Sequence, residues 1–290
     1  MSLASYEDAR PWARAMRAEV VSGRMPRWPA ARGFGRFAND RSLSPFEAAL
    51  IIAWADGGAP RGEGRLPEPR VLPGSRLDLA IELTRRARPP EGDRRTFETP
   101  VRLPRERWIS GWRFFPNDAA IEQAEFSLAG GRYLGNWVPP EEWVQLPAGV
   151  GIRLPAAAAL SVTVWYRAAR LQQDFPVGLP SLPPVLGFRF SRTSPAREHA
   201  SLDVPCGDTL AAPRGEAIAV RPLLARPGSS VSIALAPPDA APVPLARIRD
   251  FDPAYLATYR LREPAALTPG TRVVVESESA DCRVLVEYAR

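Results

Sequence analysis

Leu77-Asp78-Leu79-Ala80-Ile81-Glu82-Leu83 places leucine or isoleucine at every second position, with Asp78, Ala80 and Glu82 between them. A two-residue repeat sends successive side chains to opposite faces of an extended chain, so this run predicts a strand with one buried face. Similar runs recur downstream. Ala158 to Tyr166 and Val185 to Phe190 are rich in β-forming residues and more continuously apolar, and the pattern resumes at Ala217 to Val220, Ser230 to Leu235, Thr271 to Glu276 and Arg283 to Tyr288. Ala129-Gly130-Gly131 and Pro237-Pro238-Asp239 are turn signals between runs. The 33 prolines are spread along the whole chain. Proline lacks a backbone donor and is poorly tolerated inside helices and central strands, so this dispersal favours many short strands joined by turns. The expectation is a mainly β protein with two successive sandwiches, over residues 77–202 and 203–290, divided near Ser201 to Cys206.

Upstream the signals change. Residues 61–76 are rich in Gly, Pro and Arg without periodicity and read as a linker. Residues 1–60 read as helical. Ser5 with Asp8 caps a helix that runs through Pro11 to about Val21, closed by Gly23. A second helix starts at Ser44, with Pro45 in its first turn and Glu47 completing a capping box. It carries Phe46, Leu50, Ile51 and Trp54 toward one side and stops at Gly57-Gly58.

Of 290 residues, 45% are apolar and 24% charged, the balance of a folded chain. The net charge is +6, and every basic residue is arginine. Schiff-base chemistry and lysine-dependent phosphate loops are therefore excluded. The arginines alternate with Asp and Glu rather than forming a block, which argues against nucleic acid and for a solvated surface facing an acidic partner or lipid headgroups. No run approaches the about 18 apolar residues that span a bilayer. Met1 leads straight into polar Ser5-Tyr6-Glu7-Asp8, so no signal peptide is visible; a cytoplasmic chain and a processed one both account for this. Only Cys206 and Cys282 are present, too few for a cysteine-rich metal site, and in an oxidising compartment they could pair.

Two resemblances sharpen the expectation. Tyr6-Glu-Asp-Ala-Arg-Pro-Trp12, Met25-Pro-Arg-Trp28, Phe37-Ala-Asn-Asp40 and Trp54-Ala-Asp-Gly-Gly-Ala-Pro60 together resemble the back half of a small bacterial cytochrome c domain. The resemblance implies a haem-ligand role at Met25, but the Cys-x-x-Cys-His segment that attaches haem is missing. Met25 is then expected as a core methionine. From about Leu77 onward the chain resembles the type II copper, ascorbate-dependent monooxygenases, the group of peptidylglycine α-hydroxylating monooxygenase. The segments are Trp108-Ile-Ser-Gly-Trp-Arg-Phe-Phe-Pro-Asn117, Leu146-Pro-Ala-Gly149 with Leu154-Pro155, Ile218-Ala-Val-Arg-Pro222, Arg249-Asp-Phe-Asp252, Tyr259-Arg-Leu-Arg-Glu-Pro264 and Pro269-Gly-Thr-Arg272. That family implies two jelly-roll-like β-sandwiches, here preceded by a small helical cytochrome c-like remnant.

At the family's ligand positions the residues differ. Adjacent histidines are replaced by Glu122-Gln123, a His-Tyr-His triplet by Trp165-Tyr166-Arg167, and a Pro-His-Met-His motif by Pro222-Leu223-Leu224-Ala225. The family's C-terminal methionine ligand has no counterpart, since the last methionine is Met25. Copper of this kind needs imidazole nitrogen and thioether sulfur, which these side chains do not supply. No cofactor, no metal and no catalytic residue are expected. His199, the only histidine, matches no ligand motif and reads as a surface-loop residue.

The resemblance implies an extracytoplasmic, periplasmic setting and neighbours that carry electrons. It leads to the expectation of a non-catalytic scaffold, a peripheral subunit on the outer face of a membrane electron-transfer complex; a photosynthetic reaction centre with its multihaem cytochrome is one such complex. Interface candidates are Arg132, Tyr133, Trp137 and Trp143, with rim packing of the sandwich as the alternative. A carbohydrate-active or carbohydrate-binding sandwich is the competing expectation. Its carboxylates would come from Glu122, Glu125, Glu141, Glu142, Asp250 and Asp252.

Overall fold

The computed structural model describes residues 5–64, 76–84, 93–141, 143–167, 182–279 and 281–290. Most of the expected linker, and Glu142, lie outside the described residues. The chain divides into two units, residues 1–30 with 39–75, and residues 31–38 with 76–290.

The first unit is helical. α1 (Tyr6–Ala9) is capped by Ser5, whose hydroxyl accepts from the Asp8 amide, and a 3-10 turn (Arg10–Trp12) leads into α2 (Ala13–Val21). The single helix expected here is broken because Pro11 has no N–H to donate back to the preceding turn. α3 (Pro45–Asp56) carries the full capping box, with Ser44 and Glu47 each accepting from the other's backbone amide. The Tyr6 hydroxyl donates to the Ala59 carbonyl at 2.9 Å and Arg17 pairs with Asp56 at 2.6 Å.

The protein is mainly β, with 47% strand and 11% helix. The strands in chain order are β1 (Leu79–Glu82), β2 (Arg94–Arg102), β3 (Arg107–Phe115), β4 (Ile121–Leu128), β5 (Tyr133–Trp137), β6 (Val144–Gln145), β7 (Val150–Leu154), β8 (Ala157–Tyr166) and β9 (Val185–Phe190). They continue as β10 (Arg197–Pro205), β11 (Thr209–Ala211), β12 (Gly215–Leu224), β13 (Val231–Ala236), β14 (Val243–Ile248), β15 (Tyr259–Leu267), β16 (Arg272–Ser277) and β17 (Cys282–Ala289). Two four-stranded sheets run β2-β8-β4-β5 and β11-β16-β13-β14. One long sheet runs β1-β9-β3-β7-β10-β17-β12-β15, with β6 also on β3. Its one parallel step joins β7 to β10, with Val150 opposite Arg197 and Gly151 opposite Glu198. Of the boundary expected near Ser201 to Cys206, Ser201 to Pro205 lie in β10 and are paired there with β17.

Alternation builds the cores. Phe126, Val162 and Val164 of the β2-β8-β4-β5 sheet meet Ile109, Trp112, Phe114 and Phe188 of the long sheet in one buried cluster. The Phe114 ring lies 5.8 Å from Phe126 and 5.2 Å from Trp137. Each such side chain contributes about 1.5–3 kcal/mol on full burial. In the other four-stranded sheet Val231, Ile233, Leu235, Val273 and Val275 alternate inward and are almost wholly buried.

Residues 31–38 close an edge of the second unit. The Ala31 amide donates to the Arg247 carbonyl at 2.7 Å and the Ala38 amide to the Arg260 carbonyl at 2.8 Å. The Arg262 amide donates to the Arg36 carbonyl at 2.8 Å, so this segment covers the outer side of β15. Phe37 is buried there, its ring 5.5 Å from that of Tyr259.

Candidate functional site

The outward face of β4 and β5 turns toward β12 and β17, and an open cleft of about 1070 Å³ lies where these strands diverge. β8 brings Thr163 and Trp165 to its wall, β2 brings Arg94, β4 brings Glu125 and β5 brings Tyr133. Opposite stand Asp203 at the end of β10, Arg221 and Leu223 of β12, Ala225 just beyond it, and Cys282 and Arg283 of β17.

The cleft floor is polar and tightly paired. Arg221, with 2% of its side chain exposed, donates to Glu125 at 2.7 Å and lies 5.5 Å above the Tyr133 ring. The Tyr133 hydroxyl donates to Asn136 Oδ1 at 3.2 Å, and Thr258 donates to the same oxygen at 2.7 Å. Asn136 in turn donates to the Leu256 carbonyl at 2.7 Å, while the Leu256 amide donates to Gln123 Oε1 at 3.2 Å. Burial raises the Tyr133 phenol above its ordinary pKa. Burying so many charges is costly unless each is matched, and here they are matched in pairs. Behind the floor His199 Nε2 lies 2.8 Å from Glu287 Oε2, both side chains at most 5% exposed, and Arg260 pairs with Glu141 at 2.5 Å.

The structure brings several of the sequence candidates together. Trp165, Leu223 and Ala225 line this one cleft. Glu122 and Arg167 form an ion pair at 2.6 Å, and Gln123 is buried against the loop at Leu256. This set does not fit a copper ion. A guanidinium occupies the Glu122 carboxylate, Gln123 is committed to a backbone amide, and Leu223 and Ala225 have no donor atoms. Among the described residues no three His, Cys, Asp or Glu side chains converge as a metal site. Cys206 and Cys282 form a disulfide, with Cα atoms 5.2 Å apart, and the Cys206 amide donates to the Cys282 carbonyl at 2.9 Å.

Other candidates fall elsewhere. Tyr133 and Trp137 are only 8% and 6% exposed, so neither is an exposed anchor: Trp137 donates to the Glu141 carbonyl at 2.6 Å and packs on Phe114. Arg132 is half-buried and tied to Glu198 at 2.6 Å, and Trp143 is half-buried. His199 is not a loop residue but a buried one, on β10, held by Glu287. Met25 is 51% exposed rather than a core methionine.

The exposed apolar residues of the described chain concentrate instead on the helical unit. Phe46 is 71% exposed, Val21 59%, Leu50 53% and Trp12 46%. Apart from Glu47 and Asp56, α3 is apolar on every side, and it has no buried residue. Its composition was readable in the sequence, but an apolar helix ordinarily signals burial rather than an open face.

No family model and no curated protein matches the chain. Among solved structures it is similar to Bacillus subtilis oxalate decarboxylase, represented by a deletion mutant (10% identity, TM-score 0.17) and a tryptophan-to-tyrosine variant (8% identity, TM-score 0.18). Each likeness covers 76% of this chain and 79% of the other. At these scores the likeness carries no argument about fold or activity.

Proposed function

We propose that the chain is a non-catalytic accessory subunit that docks, through its helical unit, on the extracytoplasmic face of a membrane electron-transfer complex. The observation that carries this is α3: twelve residues, apolar apart from Glu47 and Asp56, none buried, with Phe46 and Leu50 more than half exposed. An apolar helix face of this kind loses free energy on contact with a partner, at roughly 25 cal/mol per Å² covered. Two further observations support it. The Cys206–Cys282 disulfide suits an oxidising compartment. The positions that the monooxygenase resemblance marks for copper hold an ion pair, a buried amide and apolar side chains. None of the described helices is long and apolar enough to cross a membrane.

The test is native purification from source membranes in mild detergent, with stoichiometric identification of co-migrating subunits. A fixed-ratio complex of electron carriers is expected. Phe46→Ser with Leu50→Ser should release the chain from that complex and leave its melting temperature within about 2 °C, because neither side chain is buried. A chain that runs alone in the soluble fraction overturns the proposal.

A further inference from the structure

We infer that the cleft between β4–β5 and β12–β17 is a binding site for a neutral oligosaccharide. This is independent of the docking face, which lies on the other unit. The first ground is charge. Among the described residues, three arginines (Arg94, Arg221, Arg283) and three carboxylates (Glu125, Asp203, Asp281) line the cleft, a balanced set. A groove for nucleic acid or a sulfated polymer carries an excess of arginine. A lipid site requires a continuous apolar lining. The described lining has neither.

The second ground is the arrangement of the charges. Arg221 is bonded to Glu125 at 2.7 Å and Arg283 to Asp203 at 3.2 Å, and in each pair both partners line the cleft. Pairing fixes the carboxylates, yet 37% of the Glu125 side chain and 48% of that of Asp203 stay exposed. Glu125 is thus an acceptor oriented by buried Arg221, and Asp203 an open acceptor beside the exposed Arg283 guanidinium donor. Sugar hydroxyls donate and accept at once, and fixed alternating partners bind them with little ordering cost.

The third ground is the apolar surface among these groups. Trp165 is half-buried, on the strand next to β4 and β2, and Leu223 stands in the same cleft. A sugar ring has an apolar C–H face and a polar rim, which matches an aromatic platform edged by ion pairs. At about 1070 Å³ the open cleft reaches the upper end of ordinary ligand pockets, roughly 300–1,000 Å³, and admits several linked rings rather than one.

The test is calorimetric titration of the full chain with neutral hexasaccharides (β-glucan, chitin and mannan types), a heparin hexasaccharide and an uncharged peptide of similar length. At least one neutral sugar should bind with Kd between about 10 μM and 1 mM. Trp165→Ala should weaken it at least about tenfold, and Asp281→Asn, at an exposed position, should weaken it several-fold without altering the melt. The inference is overturned by no neutral sugar binding up to about 10 mM, by binding unchanged in Trp165→Ala, or by tighter binding of heparin or peptide. Both cleft variants should still co-purify with the membrane complex, which separates failure here from failure of the docking proposal.

Discussion

Gly35→Ala should be the most damaging single methyl addition on the sheet edge. Gly35 has φ +87°, and a Cβ there would lie 2.0 Å from the Leu245 carbonyl oxygen. That oxygen is backbone, so no rotamer change relieves the clash, and the left-handed backbone adds roughly 1–2 kcal/mol of strain for alanine. Residues 31–38 must then lift from the sheet and withdraw Phe37, which is 4% exposed, from its place beside Tyr259. Emptying a buried phenylalanine site costs about 3–5 kcal/mol, and the chain entropy regained by the freed segment offsets part of it. A net loss of about 2–4 kcal/mol is expected, or roughly 5–15 °C in melting temperature for a unit of this size. Scanning calorimetry and urea titration measure it. Gly33→Ala is the control: φ is +82° but nothing lies within 4 Å of its Cβ, so only the backbone strain remains. Phe37→Ala combined with Gly35→Ala should be far less than additive, since both empty one site. A Gly35→Ala protein that melts within about 1 °C of the parent, or no worse than Gly33→Ala, would refute the reasoning.

Three further outcomes follow from the same structure. Replacing Cys206 and Cys282 by serine opens a loop of sequence separation 76, which the chain-entropy account values at about 4 kcal/mol, read as a melting temperature that no longer responds to reductant. Glu125→Ala should cost about 2–3 kcal/mol in urea denaturation; Arg221 is left buried and unpaired, but Glu125 is itself 37% exposed, which moderates the loss. Burial raises the pKa of Tyr133 and Tyr259, so both stay neutral in the fold where an unfolded tyrosine ionises. Stability should therefore be intact below pH of about 10 and fall as pH rises beyond it, with phenolate absorbance lagging until the protein unfolds.

What was legible in the sequence is what local chemistry decides. Ser44, Pro45 and Glu47 fix the start of α3 within four successive positions, and the capping box is present as written. Runs such as Val185 to Phe190 coincide with a strand because their own side chains are β-forming and mostly apolar, and four of the six are buried. Partner-dependent features were not legible. The stretch from Ser201 to Cys206 reads as a break between domains, yet Ser201 to Pro205 belong to a strand, β10, because distant β17 supplies the hydrogen bonds there. His199 lacked any motif because its partner, Glu287, is 88 residues away. Tyr133 and Trp137 read as exposed anchors because they stand in a loop-rich stretch between two strands, while Arg221 and Phe114, which pack against them, come from other strands.

The marked positions also bear on why the cleft should persist without a metal. Side chains left behind by a lost ion would be under no demand to pair, and unmatched buried charge would make the wall collapse or swell. Here Glu122 is matched by Arg167, and Gln123 pins the Leu256 amide beside the point where Asn136 pins the Leu256 carbonyl. The loop at Leu256 and the outer face of β4–β5 are thereby locked by bonds internal to the protein, and Arg221 on Glu125 ties in β12. A wall fixed in this way needs no occupant to keep its shape. That property fits the accessory role proposed above, and it differs from that of a metal centre, whose geometry and stability depend on the ion it holds.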